Sequence, residues 1–204
     1  MTDKTRQAQT LYGRPDQMNG APDGWRIELR RDHILAGQYH AYLRLVDARG
    51  NTVGELHGFA QDTKFDKENN HSIPTAKGVD GSFLVARQDK FIKGELDPVA
   101  TVAAGSKEEI AKIWQRGVEA ADAINEKGLP YKATDGPRDL GGEIQNSNSV
   151  AYTLGQAMGL PLDGAVEDAG LRRAFPGWGR NILDPNYQPY IPPPQFGQDA
   201  SRAP

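Results

Sequence analysis

Residues 141–159, GGEIQNSNSVAYTLGQAMG, run from a polar turn straight into a short apolar helix, and Ser147 falls where that helix begins. A serine there sits beside backbone N–H groups that a helix start leaves without intrahelical partners, and such donors can bind a developing oxyanion. Its hydroxyl is a poor nucleophile at its free pKa and needs a nearby base. The chain has four histidines, at positions 33, 40, 57 and 71. His40 and His57 fall on segments that read as a hairpin. His40 is therefore the candidate base, and Glu55 or His57 the candidate group that orients its ring, which is the general arrangement for acyl transfer. The plainer alternative is capping: Ser and Asn are ordinary residues at a helix start, and Asn146, Ser147, Asn148 and Ser149 are all eligible.

Positioning these groups requires strands and helices with legible signals. WRIELRR (25–31) alternates as a strand, and QYHAYLRLV places Tyr39, Ala41, Leu43 and Leu45 on one face and His40, Tyr42, Arg44 and Val46 on the other. DARGN (47–51) supplies a hairpin loop, and TVGELHGFA returns as the antiparallel partner, so that Val53, Glu55 and His57 share a face that His40 can join. Residues 61–81 read as a long polar loop, and SFLVARQDKFIKGEL as one or two further strands. Ser106 and Glu109 have capping-box spacing at the head of a helix ending at Gly128, with Ile110, Ile113, Trp114, Gly117, Ala121 and Ile124 recurring on one face. Residues 129–142 read as loop. In the second helix Val150, Leu154, Ala157 and Met158 are expected toward the core, with Gly159 near its end.

The ends differ in composition from the middle. Residues 1–24 carry Gly13, Pro15, Gly20, Pro22 and Gly24 and suit an extended arm; residues 181–204, with Pro185, Pro189 and the run Pro192 to Pro194, suit an extended Pro-rich tail. A single α+β domain over 25–180 lies between them.

Composition removes several function classes. There are 24 Lys plus Arg and 27 Asp plus Glu, for a formal charge of -3 without a dominant basic block, which argues against a nucleic-acid partner. The cysteine count is zero, excluding disulfides, thiolate metal sites and cysteine catalysis. No stretch approaches the length of a membrane span, and the N-terminus has no apolar signal core. Synthesis in the cytoplasm is expected, with any export independent of such a signal. His40, Glu55 and His57 are types that zinc accepts, but they form no compact metal motif; Asp62, Asp66 and Glu68 do not fit a calcium loop, and the glycines form no phosphate loop. Neither a metal nor another cofactor is expected.

The order of these pieces carries a resemblance. A strand with His40, a returning strand with GELHG, a helix ending near GLPY, and NSNS leading into VAYTLGQAMGL resemble the circularly permuted papain-like hydrolases. That group includes NlpC-like amidases, relatives of lecithin retinol acyltransferase and permuted deubiquitinase-like peptidases. The resemblance spans roughly residues 35–160 and implies an antiparallel sheet packed against helices. It implies Ser147 at the position usually held by cysteine, His40 as base and Glu55 or His57 as the orienting group. Asn146, Asn148 and Ser149 match the flanking letters as turn, cap or substrate-binding residues. The implied activity is hydrolysis of a peptide or isopeptide amide, with cell-wall peptides or a secreted bacterial effector role as the preferred setting. Serine in place of cysteine is consistent with a serine variant, with an introduced cysteine-to-serine substitution, or with a domain kept for binding or assembly, its extended ends then offering a protein partner something to hold.

Overall fold

The computed structural model describes residues 24–35, 37–61, 64–66, 71–73, 82–88, 98–133 and 144–190. Residues 1–23 of the expected arm, the run Pro192 to Pro194 and the second half of SFLVARQDKFIKGEL lie outside them, as do residues 134–142 of the expected 129–142 loop.

Among the described residues seven strands form in chain order: β1 (Trp25–Leu35), β2 (Gln38–Val46), β3 (Thr52–Ala60), β4 (Lys64–Asp66), β5 (His71–Ile73), β6 (Leu84–Gln88) and β7 (Ala100–Gly105). β4 and β5 pair with each other inside the stretch expected to be loop. The other five make one antiparallel sheet in the order β6-β3-β2-β1-β7, so the strand carrying His40 is central. Asp47 builds the β2–β3 turn, its Oδ1 accepting from the backbone N–H of Arg49 (2.9 Å) and Asn51 (2.7 Å).

Among the described residues three α-helices follow, α1 (Lys107–Glu126), α2 (Ser147–Met158) and the short α3 (Leu162–Asp168), giving an α+β fold. The capping box of Ser106 and Glu109 is formed, and the acidic first turn of α1 complements the positive end of its dipole. The apolar stripes of α1 and α2 cover one face of the sheet, where Ile27, Leu29, Ala41, Leu43 and Leu56 meet Ile110, Trp114, Ile124, Val150, Leu154 and Met158. Val150, Leu154 and Met158 are buried as their spacing requires, but Ala157 is exposed: the buried stripe of α2 passes through Ala151 and Met158 and leaves position 157 on the outer side. Among the described residues no helix is long and apolar enough to cross a membrane.

Two features complete the frame. The outer edge of β6 is closed by a side chain, since Asn125 accepts from Ala86 N–H (2.7 Å) and donates to Ala86 C=O (2.9 Å), removing strand groups that could pair with another chain. Beyond α3 the chain folds back over α2 as a strap. Phe175 and Ile182 are buried in the common core, and Ile182 N–H donates to Thr153 Oγ1 (2.9 Å). The packed unit therefore runs past residue 180 to Tyr187, whose hydroxyl bonds Gln145 Oε1 at 2.9 Å.

Candidate active site

The β2–β3 ladder ends at the pair Leu43 and Leu56. Beyond it β2 stays with β1 and β3 goes with β6, so the two strands part as a fork. The first turn of α2 seats in that fork. Gly58 permits it: a Cβ there would stand 2.5 Å from Val150 Cβ and 2.9 Å from Ser147 Cα. On the other arm Asn148 bonds the β2 backbone, Oδ1 accepting from Ala41 N–H (2.7 Å) and Nδ2 donating to Tyr39 C=O (3.1 Å). These are the in-plane groups on either side of His40.

The cap belongs to Asn146. Its Oδ1 accepts from the N–H of Asn148 (2.9 Å) and Ser149 (3.3 Å), while Ser149 Oγ returns to Asn146 N–H (3.5 Å) in a reciprocal box. Ser147 is the first helical residue, and its hydroxyl takes no part in the cap. The cap thus uses the N–H groups of residues 146, 148 and 149 and leaves that of Ser147 outside. Asn148 N–H is taken by the cap, and Ser147 N–H is left for an oxyanion.

Asn146, Asn148 and Ser149, matched by resemblance to substrate-binding positions, are buried and turned inward. Asn146 Nδ2 donates to Ala133 C=O (2.9 Å) and Pro176 C=O (3.1 Å), and Asn148 Nδ2 also reaches Pro176 C=O (3.0 Å). Ser149 Oγ donates to Gly177 C=O (3.0 Å). The strap passes so close that a Cβ on Gly177 would stand 2.8 Å from both Asn146 Oδ1 and Ser149 Oγ, and its φ of +82° independently favours glycine. These three residues hold the helix start to the strand and the strap.

On the sheet face away from α1 and α2, His40, Tyr42, Arg44, Glu55 and His57 are all buried. They form a connected series. Arg44 Nε donates to Glu55 Oε1 (2.7 Å), with Arg44 Nη2 also at 2.6 Å from that oxygen; Glu55 Oε2 lies 3.1 Å from His57 Nε2, and His57 Nδ1 lies 3.0 Å from His40 Nε2. Tyr42 stacks on His57 at 4.4 Å between ring centroids, and Arg44 Nη2 donates to its hydroxyl at 3.2 Å. Glu55 and His57 are successive links: Glu55 orients His57, and His57 orients His40. Arg44, which anchors the far end, escaped the sequence reading as a site residue although it shares the His40 face.

The series fixes where the protons sit. An ionised Glu55 can only accept, so His57 carries its proton on Nε2 and presents a bare Nδ1. His40 must then donate from Nε2, which leaves His40 Nδ1 as the basic nitrogen. Burial holds His40 well below its ordinary value near 6.5, with the neighbouring His57 adding to the effect. Burial also lowers His57, opposed by Glu55. Both rings are therefore neutral in the folded protein at pH 7.

That has a consequence for stability. The unfolded histidines take up protons as pH falls through about 6.5, while the folded ones do not, so the unfolded state gains protons first. Stability is full above that pH and declines below it by up to about 1.4 kcal/mol per pH unit for each histidine, until the folded values are reached. Denaturant titrations at pH 7.5 and pH 5 should show the loss, and His40→Gln should make the pH slope shallower. An unchanged slope in that variant would show that His40 is not held neutral.

Ser147 and His40 keep a trace of exposure, 4% and 6%, whereas His57 has none. The Ser147 backbone lies on the helix side of β3 and the His40 ring on the opposite side of β2; at the fork no ladder separates the two. Among the described residues no group of three or more His, Asp or Glu side chains is arranged to hold a metal ion. A polar concavity of about 500 Å³ lies elsewhere, between the outer side of α2 at Tyr152 and Gln156 and the strap at Arg180, Asn181, Asp184 and Asn186. No protein-family model, curated protein or solved structure matches the chain.

Proposed function

We propose that the fork is the active site of an amide hydrolase of the permuted papain-like kind, with Ser147 as the acyl acceptor and His40 as its base. The observation that carries this reading is the series Arg44–Glu55–His57–His40, which leaves His40 Nδ1 as the basic nitrogen of a residue whose two strand neighbours, Tyr39 and Ala41, are bonded by Asn148 of the helix start. Burial of the ring also favours a hydroxyl over a thiol. A thiolate facing an imidazolium needs a charged ring, which burial opposes, whereas a serine needs a neutral one that can take its proton.

In the reaction His40 Nδ1 accepts the Ser147 Oγ proton as Oγ bonds to the carbonyl carbon, and Ser147 N–H donates to the oxyanion. His40 then gives that proton to the departing amine as the C–N bond breaks. Water attacks the resulting ester with the same nitrogen as base, which restores Ser147. The transient positive charge stays on His40 and is stabilised by the hydrogen bond of its Nε2 to His57, which Glu55 in turn orients. Peptide and isopeptide amides are the substrate class, with cell-wall peptides the first to try.

Incubation of the full chain with a fluorophosphonate, followed by intact mass and peptide mapping, tests this. One adduct on Ser147 is expected, absent in Ser147→Ala and slowed at least about a hundredfold in His40→Ala. No adduct on Ser147, or labelling at the same rate in His40→Ala, overturns it. A second reading, a binding domain that keeps the scaffold, is favoured by the burial of Ser147 and His40 and by the position of the polar concavity away from them. It is distinguished by cell-wall peptide binding that survives Ser147→Ala and is lost on Gln156→Ala.

A further inference from the structure

Strand, helix and strap meet at one amide. The Asn148 side chain is almost fully buried and bonds all three: Ala41 N–H and Tyr39 C=O on β2, and Pro176 C=O on the strap, while its own backbone N–H is held by the Asn146 cap. In the fork it supplies the donor and acceptor that β3 would have supplied had the ladder continued. Its backbone neighbour is Ser147, and the two strand residues it grips are the neighbours of His40.

We infer that Asn148 is a positioning residue, whose amide sets the distance and angle between Ser147 and His40 by locking the first turn of α2 to the strand backbone on both sides of the histidine. This rests on the hydrolase reading for its effect on rate, but the placement of His40 follows from the hydrogen bonds alone. A side chain at this point touches neither the reacting carbonyl nor the proton in flight. It acts through the two residues that do, and a displacement of about 1 Å there costs on the order of a hundredfold in rate.

The fold offers its own control. Asn125 makes the same kind of clamp, two bonds from one amide to the backbone of Ala86, at the far edge of the sheet. Asn148→Ala and Asn125→Ala are compared for melting temperature, for the rate of fluorophosphonate labelling of Ser147, and for the ring ¹⁵N signals of His40. Positioning predicts that Asn148→Ala labels about ten- to a hundredfold more slowly and shifts the His40 signals, while Asn125→Ala melts lower but labels at the parent rate with unchanged His40 signals. Equal effects of the two variants, or unchanged His40 signals in Asn148→Ala, overturn it. If the parent protein does not label at all, the hydrolase reading fails, and the His40 signals still decide whether Asn148 positions the ring. Should Asn148→Ala not fold, Asn148→Asp replaces it, since the carboxylate still accepts from Ala41 N–H but faces Tyr39 C=O and Pro176 C=O with no donor.

Discussion

Glu55→Gln loses about 3–5 kcal/mol of stability in denaturant unfolding, a large part of the roughly 5–15 kcal/mol that holds a domain of this kind together. The carboxylate is buried and its two oxygens are divided between Arg44 and His57, so removing the charge breaks a buried ion pair and leaves the guanidinium without the carboxylate it bonds at 2.7 Å. Adding Arg44→Met to the first variant recovers part of the loss, because the cost lies in the broken ion pair rather than in missing volume. Equal stability of Glu55→Gln and the parent would mean that the pair is solvated. The same variant has a chemical signature. An amide can donate to His57 Nε2, which moves the proton of His57 to Nδ1 and forces His40 to accept at Nε2. His40 Nδ1 then carries hydrogen, and Ser147 labelling stops even in molecules that remain folded.

The second large effect belongs to the apolar face. Trp114 lies against Gly54, where a Cβ would stand 3.5 Å from the indole, and it is buried between α1 and the sheet. Trp114→Ala costs about 3–5 kcal/mol, read as a lower denaturant midpoint at unchanged slope. Trp114→Phe costs much less. The indole Nε1 is buried without a hydrogen-bond partner among the described residues, so phenylalanine gives up area but also removes an unpaired donor. A phenylalanine variant as unstable as the alanine one would indicate that the indole N–H is paired.

Much of the frame is legible because it rests on local rules. Period two and the DARGN turn place His40, Glu55 and His57 on one face of a hairpin, and Ser106 with Glu109 marks the head of α1. The site is less legible, for three physical reasons. Four consecutive residues could cap α2, and local chemistry does not choose Asn146 over Ser147; the choice depends on Ala133 and Pro176, brought in from elsewhere in the chain. Glu55 and His57 are both suitable partners for His40, and their order follows from ring geometry across the fork. Asn148 reads as one more turn residue until β2, 107 positions earlier, is set beside it. Ala157 shows the converse, a residue apolar enough to suggest burial whose small side chain is tolerated in solvent.

The two amide clamps also change what solvent exchange would time. The amide protons of Ala41 and Ala86 belong to strands, yet each is bonded to a helix side chain, Asn148 in one case and Asn125 in the other. Deuterium enters at Ala86 when α1 lifts from the sheet edge, and at Ala41 when the start of α2 leaves the fork, while the neighbouring ladder protons stay protected until the strands themselves separate. The sheet thus carries two clocks for helix docking, and the one at Ala41 runs beside His40.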